Sequence, residues 1–365
     1  MNIEFSEIVN AYKECRKNKS KSNSTIKFEM NLEENLYNLY YDLLTDKYIP
    51  GQFNYFILTK PKYRECWAST FRDRIVHHLI YLKLKDYYFA RFIYDSYACI
   101  PKKGIHASSN RLLHFIRSEG LNNKVYFLKM DIENFFISIN KEILFNIFNI
   151  FLNDIITIEY IDLLKTIIFF DPTSNYIYKG NPNLKLLVPW QKSLFNAKHN
   201  CGLPIGNLTS QFFANIYLNE LDQFVKHVLK CKYYIRYVDD VIIISKDLKF
   251  LKHVSLEMQC FVENRLQLSF HKNKNIIELC SHGVDFVGRK LYSYHTVIRK
   301  STLISLYKVL NNYENLEYEY VIKSINSYFG MLRKTNSFNI RKNIAVNYPK
   351  LVFDKNYIKL IDILQ

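Results

Sequence analysis

The sequence predicts an α+β protein in which antiparallel strands carrying carboxylates alternate with long helices. Three stretches predict this. Residues 233–238 and 241–244 are two runs of β-branched and aromatic side chains around Asp239-Asp240; they form a hairpin with an acidic pair at its tip. Lys124 to Met130 is a further strand, closed by Asp131. Residues 31–48 and 207–228 place apolar side chains at helical spacing, and 248–266 forms another helix.

The elements follow in order. Residues 16–24 are basic and polar, an exposed loop between two helical pieces. Leu32, Leu36, Leu39, Tyr40, Leu43 and Leu44 define the helix over 31–48, and Pro50-Gly51 ends it. Phe53 to Leu58 predicts a strand, and residues 60–74 short strand-like pieces carrying Lys60, Lys62, Arg64, Arg72 and Arg74. A long helix follows from Arg74 to about Tyr88. Residues 141–170 predict helix. Three prolines, with Asn and Gly, make 171–201 an irregular loop. Leu208, Phe212, Ile216, Tyr217, Leu221, Phe224 and Val225 give 207–228 an amphipathic pattern. Two short strands are expected over 275–292, then mostly helix. Residues 290–365 hold 12 Lys plus Arg against 5 Asp plus Glu, so the C-terminal end is strongly basic.

The 365 residues carry a formal charge of +16 with 48% hydrophobic content. That describes a globular protein with an anionic partner, nucleic acid before an acidic membrane surface. The seven cysteines form no Cys-x-x-Cys pair and match no zinc spacing. With no signal peptide, reduced thiols and a cytoplasmic location are expected. Apolar stretches such as Ile147 to Leu164 are broken by Asn153, Asp154, Glu159 and Asp162, so no membrane span is expected.

Adjacent buried carboxylates without a counter-charge are costly, so Asp239 and Asp240 are expected to face a groove and to attract divalent metal. Clustered carboxylates in a basic protein suggest phosphoryl transfer on nucleic acid. Asp131 supplies a third carboxylate, provided the fold joins strand ends 108 positions apart. Alone, Asp131 reads equally as a turn or helix cap, and the acidic pair as a polar turn.

The order of motifs is more specific. Leu128-Lys-Met-Asp-Ile-Glu-Asn-Phe-Phe136, Gly202-Leu-Pro-Ile-Gly-Asn-Leu-Thr-Ser-Gln211 and Tyr237-Val-Asp-Asp240 resemble motifs A, B and C of reverse transcriptases. Leu266 to Lys274 resembles the motif D loop and Gly283-Val-Asp-Phe-Val-Gly288 the motif E hairpin. Phe71-Arg-Asp-Arg-Ile-Val-His-His78 resembles the fingers of bacterial members, and Ser327-Tyr-Phe-Gly-Met-Leu-Arg-Lys-Thr-Asn336 their thumb helix. In motif B, Ile205 fills a slot usually held by Gln and the stretch ends Ser210-Gln211. With Trp190-Gln-Lys-Ser-Leu-Phe195 ahead of it, this resembles enzymes of diversity-generating retroelements.

The resemblance implies a right-hand polymerase, with an N-terminal helical segment (1–50), fingers with the start of the palm (51–120), a palm with an antiparallel sheet (121–288) and a short helical thumb (289–365). It implies RNA-templated DNA synthesis from dNTPs with two Mg²⁺ ions, for which Mn²⁺ can substitute. Asp131, Asp239, Asp240 and the Ile132 backbone carbonyl would hold the metals, and Lys274 would protonate pyrophosphate. Arg64, Arg72 and Arg74 are candidates for the triphosphate, since guanidinium forks suit phosphate; singly, each also reads as a surface charge or ion-pair partner. Phe136 stands at the steric-gate position selecting dNTPs, or is a core ring beside Phe135. Gly206 would let backbone approach nucleotide and template. Gln211 completes the nucleotide-binding set. Ile205, which cannot hydrogen-bond near the template base, implies error-prone copying, or is simply a packing residue. Tyr237, Arg333, Lys334, Arg341 and Lys342 are candidates for nucleic-acid contact, and the basic thumb residues read nearly as well as a solvated face. His77 and His78 read as structural.

The implied partners are template RNA, cDNA, a structured non-coding or template-repeat RNA and a small basic accessory protein, in a bacterial or phage-encoded system. The alternatives are a phage-defence reverse transcriptase with a non-coding RNA and unusual or protein-primed synthesis, a template-independent nucleotidyltransferase, and a nucleic-acid-binding module without catalysis.

Overall fold

Helices lead the chain: α1 (Phe5–Arg16), α2 (Asn23–Glu29) and α3 (Leu32–Leu44) precede strands β1 (Phe53–Leu58) and β2 (Arg64–Ala68). Then come α4 (Phe71–Arg91), β3 (Ser96–Tyr97), α5 (Ile105–Glu119), β4 (Tyr126–Asp131), α6 (Phe135–Ser138), α7 (Lys141–Leu152) and α8 (Ile158–Phe169). This computed structural model describes residues 3–17, 19–60, 62–120, 124–152 and 158–349. Outside them lie the first two residues of the N-terminal segment, position 18 of the basic loop, position 61, residues 121–123 at the start of the expected palm, residues 153–157 of the 141–170 stretch and residues 350–365 of the expected thumb.

The expected irregular stretch 171–201 contains a strand, β5 (Tyr176–Tyr178), which pairs in parallel with β1. Aromatic packing holds it there. Tyr55 stacks on Trp67 at 4.3 Å, and Tyr176 and Phe195 meet both rings edge-on. Three residues carry too little alternation to reveal a strand in sequence.

The chain continues with α9 (Leu208–Gln223), β6 (Tyr233–Tyr237), β7 (Asp240–Ser245), α10 (Leu248–Leu266), β8 (Ile276–Leu279), β9 (Val284–Phe286), β10 (Arg289–Leu291) and β11 (Thr296–Ile298). The two strands expected over 275–292 are therefore three, and a fourth opens the stretch expected to be helical. Helices α11 (Lys300–Asn311), α12 (Tyr318–Leu332) and α13 (Phe338–Asn347) complete the described chain.

A five-stranded sheet of order β3-β6-β7-β4-β8 occupies the centre. Alternation along each strand divides its side chains between two layers. Leu128, Met130, Tyr234, Val241 and Ile243 join the core with α4, α9 and α10. Phe127, Ile235, Ile242 and Ile244 join Leu112, Phe115 and Ile116 of α5 on the other face. Helix α9 is not the half-exposed helix its pattern suggests, because both of its sides are buried: Phe212, Phe213, Leu218 and Leu221 pack in the core, and Asn215, Asn219 and Asp222 are buried too. Each fully buried Phe or Leu contributes roughly 1.5–3 kcal/mol.

The N-terminal helices brace this core. Glu7 of α1 accepts from Lys83 Nζ at 3.0 Å and Tyr160 Oη at 3.1 Å. Helices α11 to α13 form their own cluster around Leu306, Ile325 and Phe329. Across the molecule, Lys60, following β1, donates to the Tyr320 hydroxyl of α12 and lies 4.4 Å from its ring centre. No helix among the described residues is long and apolar enough to cross a membrane.

Candidate active site

Pairing of β4 with β7 places Asp131 directly opposite Asp240. The Ile132 amide donates to the Asp239 carbonyl at 3.4 Å, and Ile132 bridges Phe270 on its other side. The long separation in sequence is thus closed by one antiparallel ladder, and three carboxylates share one end of the sheet.

The hairpin tip is held from beneath. Val238 adopts a φ of 56°, a left-handed conformation that costs a β-branched residue about 1–3 kcal/mol. Arg236, fully buried, donates to the Val238 carbonyl at 2.9 Å, to Asn215 Oδ1 at 3.1 Å and to Ser96 Oγ at 2.9 Å. Its fork grips both oxygens of the equally buried Asp222, with the shortest bond 2.6 Å. Arg236 stands in the first run of the acidic hairpin, yet its structural part is unreadable without Asp222 beside it.

Burial, then the neighbouring charges of Asp131 and Asp240, pushes the Asp239 carboxyl up to about 6, while Arg64 opposes the rise. Burial also raises Asp240, against Lys129, whose ammonium lies 3.3 Å away. Lys274 donates to Asp131 Oδ2. A further cation, Lys192, is held below its ordinary range by burial and then by the like charges of Lys62, Lys274 and Arg64, with Asp131 pulling the other way. Five cations from four separate segments therefore gather beside the carboxylates. Lys192 was missed as a site residue; its only sequence signal was its place in the Trp190 to Phe195 stretch.

The family profile described as "Reverse transcriptase (RNA-dependent DNA polymerase)" matches residues 58–291, well over half of the chain. The chain belongs to the reverse transcriptase family. Its mixed helix-and-sheet architecture is the right-hand polymerase fold of that family. Two solved telomerase structures are similar to this reverse transcriptase. One is telomerase from Candida albicans in complex with the TWJ fragment of telomeric RNA, at 12% identity and a TM-score of 0.49, covering 86% of this chain and 57% of that one. The other is apo telomerase from Candida tropicalis truncated from its C-terminal domain, at 15% identity and a TM-score of 0.48, covering 67% and 55%. The reverse transcriptase thus spans little more than half the length of either. A comparison with curated proteins finds no match.

In this reverse transcriptase, Phe135 and Phe136 separate by burial. Phe135 is 3% exposed in the core, while Phe136 is half-buried and its carbonyl accepts from the Leu203 amide at 2.8 Å. Motif B docks on β2. The Ile205 carbonyl accepts from the Trp67 amide at 2.7 Å, and Asn207 bonds Ser69 N and the Trp67 carbonyl. Ile205 itself is half-buried. Gly206 has a φ of +128°, and a Cβ there would lie 2.9 Å from Cys66 Sγ and 3.0 Å from the Trp67 oxygen. Within the protein, the close approach that requires glycine is to β2.

Gln211 is exposed and accepts from Cys99 Sγ at 3.2 Å. Tyr237 is half-buried, edge-on to Phe286 at 6.2 Å. Of the three arginines, only Arg64 bears on the carboxylates. Arg72 pairs with Asp42 at 2.6 Å and lies over the Tyr48 ring; Arg74 donates to the Ser69 carbonyl at 3.0 Å. Both are bonded within their own region, because the helix start at Thr70 turns them back onto neighbouring backbone and acids. Arg333, Lys334 and Lys342 are exposed and Arg341 half-buried, all beyond the sheet in the C-terminal helical part. His77 is buried with Nδ1 2.6 Å from Thr209 Oγ1, and burial takes its pKa down to about 4, a packing role.

Hard carboxylate oxygens at one sheet end suit a divalent cation chemically, and such a charge would relieve the crowding that raises Asp239. Lysine ammonium groups engage Asp131 and Asp240 instead. Among the described residues no three His, Cys, Asp or Glu side chains converge as a ready ligand set.

Proposed function

We propose that this protein is an RNA-directed DNA polymerase that copies a dedicated RNA into cDNA by nucleotidyl transfer. The observation carrying the proposal is the placement of Asp131, Asp239 and Asp240 at one end of the central sheet, in a chain whose residues 58–291 match the reverse transcriptase family. Family members generally use divalent metal ions. Here Asp131, Asp239, Asp240 and the Ile132 carbonyl would hold two Mg²⁺ ions, or Mn²⁺. When bound, the metals would activate the primer 3′-hydroxyl and neutralise charge on the leaving group.

The chain's own residues do the rest. Arg64, with Lys62 and Lys192, attracts and orients the triphosphate. Lys274, released from Asp131, carries the proton that pyrophosphate takes up on leaving. The half-buried Phe136 ring limits space at the sugar and so favours deoxyribose. Tyr237 and Gln211 border the primer and template base pair. We further propose the division into fingers (51–120), palm (121–288) and thumb (289–365), with Lys342 and Arg341 on the nucleic-acid side.

The finer reading is an error-prone enzyme of a diversity-generating retroelement, working in a bacterial cytoplasm with a template-repeat RNA and a small basic accessory protein. It rests on Ile205 and the Ser210-Gln211 ending. The test is to sequence the RNA that copurifies with the protein and the DNA it makes from dNTPs and Mg²⁺, beside an Asp239→Ala/Asp240→Ala control. Complementary DNA with errors at template adenines supports this reading. Accurate or untemplated DNA favours the defence alternative. No carboxylate-dependent product, even with added partner RNA, removes the polymerase proposal.

A further inference from the structure

A second basic site lies apart from the carboxylates. A polar cavity of about 250 Å³ opens between α5, the β10–β11 hairpin and the turn after α12. Arg117, Arg289, Arg333 and Lys334 line it, and the described lining residues include no Asp or Glu. Arg289 is the decisive member. Its side chain is 1% exposed, its Nε has no hydrogen-bond partner among the described residues, and its terminal nitrogen meets His106 Nδ1 at 2.6 Å. A guanidinium in this setting, facing a neutral ring rather than a carboxylate, carries an unmet desolvation cost. An anion in the cavity would offset it.

The frame is already built. Arg117 Nε is fixed on the Ser293 carbonyl at 2.8 Å. The turn carrying Arg333 and Lys334 is pinned to β11 by two bonds, Asn336 N to the Thr296 carbonyl at 2.7 Å and Thr296 N to Asn336 Oδ1 at 2.9 Å. The side-chain amide of Asn110 on α5 adds a neutral donor to the wall. Planar forks from several directions, a wet polar lining and room for one or two tetrahedral groups match phosphate.

We propose that this cavity is a phosphate-binding site joining the palm sheet's helix α5 to the C-terminal helices. Its phosphate is either a backbone phosphate of a bound nucleic-acid strand or free phosphate or pyrophosphate. The inference does not depend on polymerase activity, since none of the active-site residues lines the cavity.

The test uses the full chain, without dNTPs and with a chelator present. Inorganic phosphate and pyrophosphate are titrated calorimetrically, and a labelled RNA–DNA duplex is titrated at several salt concentrations. Wild type is compared with Lys334→Gln and Arg289→Gln. Lys252→Gln, an exposed position on α10 against the other sheet face, removes the same charge elsewhere. If wild type binds pyrophosphate or phosphate and Lys334→Gln weakens it about tenfold while Lys252→Gln does not, the site takes free phosphate. If free anions do not bind but Lys334→Gln weakens the duplex about tenfold and lowers the salt slope by about one, with Lys252→Gln unchanged, the source is the backbone. Lys334→Gln indistinguishable from Lys252→Gln in both titrations overturns the proposal. Arg289→Gln must agree in direction where it folds; Lys334→Gln, on the surface, decides where it does not.

Discussion

Replacing Asp222 by Asn leaves shape intact and strips the counter-charge from Arg236. Both side chains are fully buried, so the guanidinium that remains has no water to turn to. Breaking such a pair from one side costs about 3–5 kcal/mol. With an unfolding entropy of about 2.1 cal/mol/K per residue, that is a fall in Tm of roughly 4–6 °C for a chain of this size. Tyr234, which donates to Asp222 Oδ1 at 2.5 Å, is left with a neutral amide oxygen in place of a charged acceptor. The assay is urea and thermal unfolding of the full chain. A second variant checks the physics. Arg236→Leu/Asp222→Leu removes both charges, which for many buried pairs is neutral. Here it also strips the partner from Ser96 Oγ, Asn215 Oδ1 and the Val238 carbonyl, so about 2–4 kcal/mol is still lost, and the hairpin tip loses its anchor. Asp222→Asn unfolding within 1 kcal/mol of wild type, or a double variant as stable as wild type, would refute this account of the clamp.

Three further outcomes are expected. Because Asp239 is raised from 3.8 to about 6, the native state favours its neutral form, so stability is lost as pH climbs through the window from about 4 to 6. In chelator, Asp239→Asn should therefore exceed wild type by up to about 3 kcal/mol above pH 7 and match it below pH 4; a difference independent of pH contradicts the cause given. Gly206→Ala combines a φ of +128° with a Cβ 2.9 Å from Cys66 Sγ and should cost at least about 2 kcal/mol in denaturant melts. Glu65 accepts from Tyr55 Oη, Trp67 Nε1, Ser193 Oγ and Leu194 N; Glu65→Gln turns a donor on those donors and should lower stability by about 2 kcal/mol, read by the same melts.

Local pattern made much of the fold legible. Phe53–Leu58 and Leu248–Leu266 have the limits their residues predict, because each is long and periodic. The hairpin was equally clear, since a charged pair interrupts two β-branched runs. What stayed hidden depends on partners distant in sequence. Three-residue strands such as β5 exist because an aromatic cluster holds them. The burial of α9 on both sides follows from layers packed around it, which no helical wheel contains. In the candidate site, Asp131 and the acidic pair could be singled out as residue types, but Lys192 and the Arg236–Asp222 clamp depend on folding that brings together elements with no shared periodicity. The ion pair of Arg72 was hidden for a similar reason: its partner, Asp42, is thirty positions upstream.

The contact between Lys60 and Tyr320 makes the molecule a closed loop. The polypeptide already connects the two regions through the sheet, so this one ammonium–phenol contact completes a circuit around whatever lies between. The clasp is an exposed contact, of the kind that contributes about 1 kcal/mol or less, so it opens readily. At that strength the two side chains part and meet again freely, so the contact favours one spacing of the two regions without fixing it.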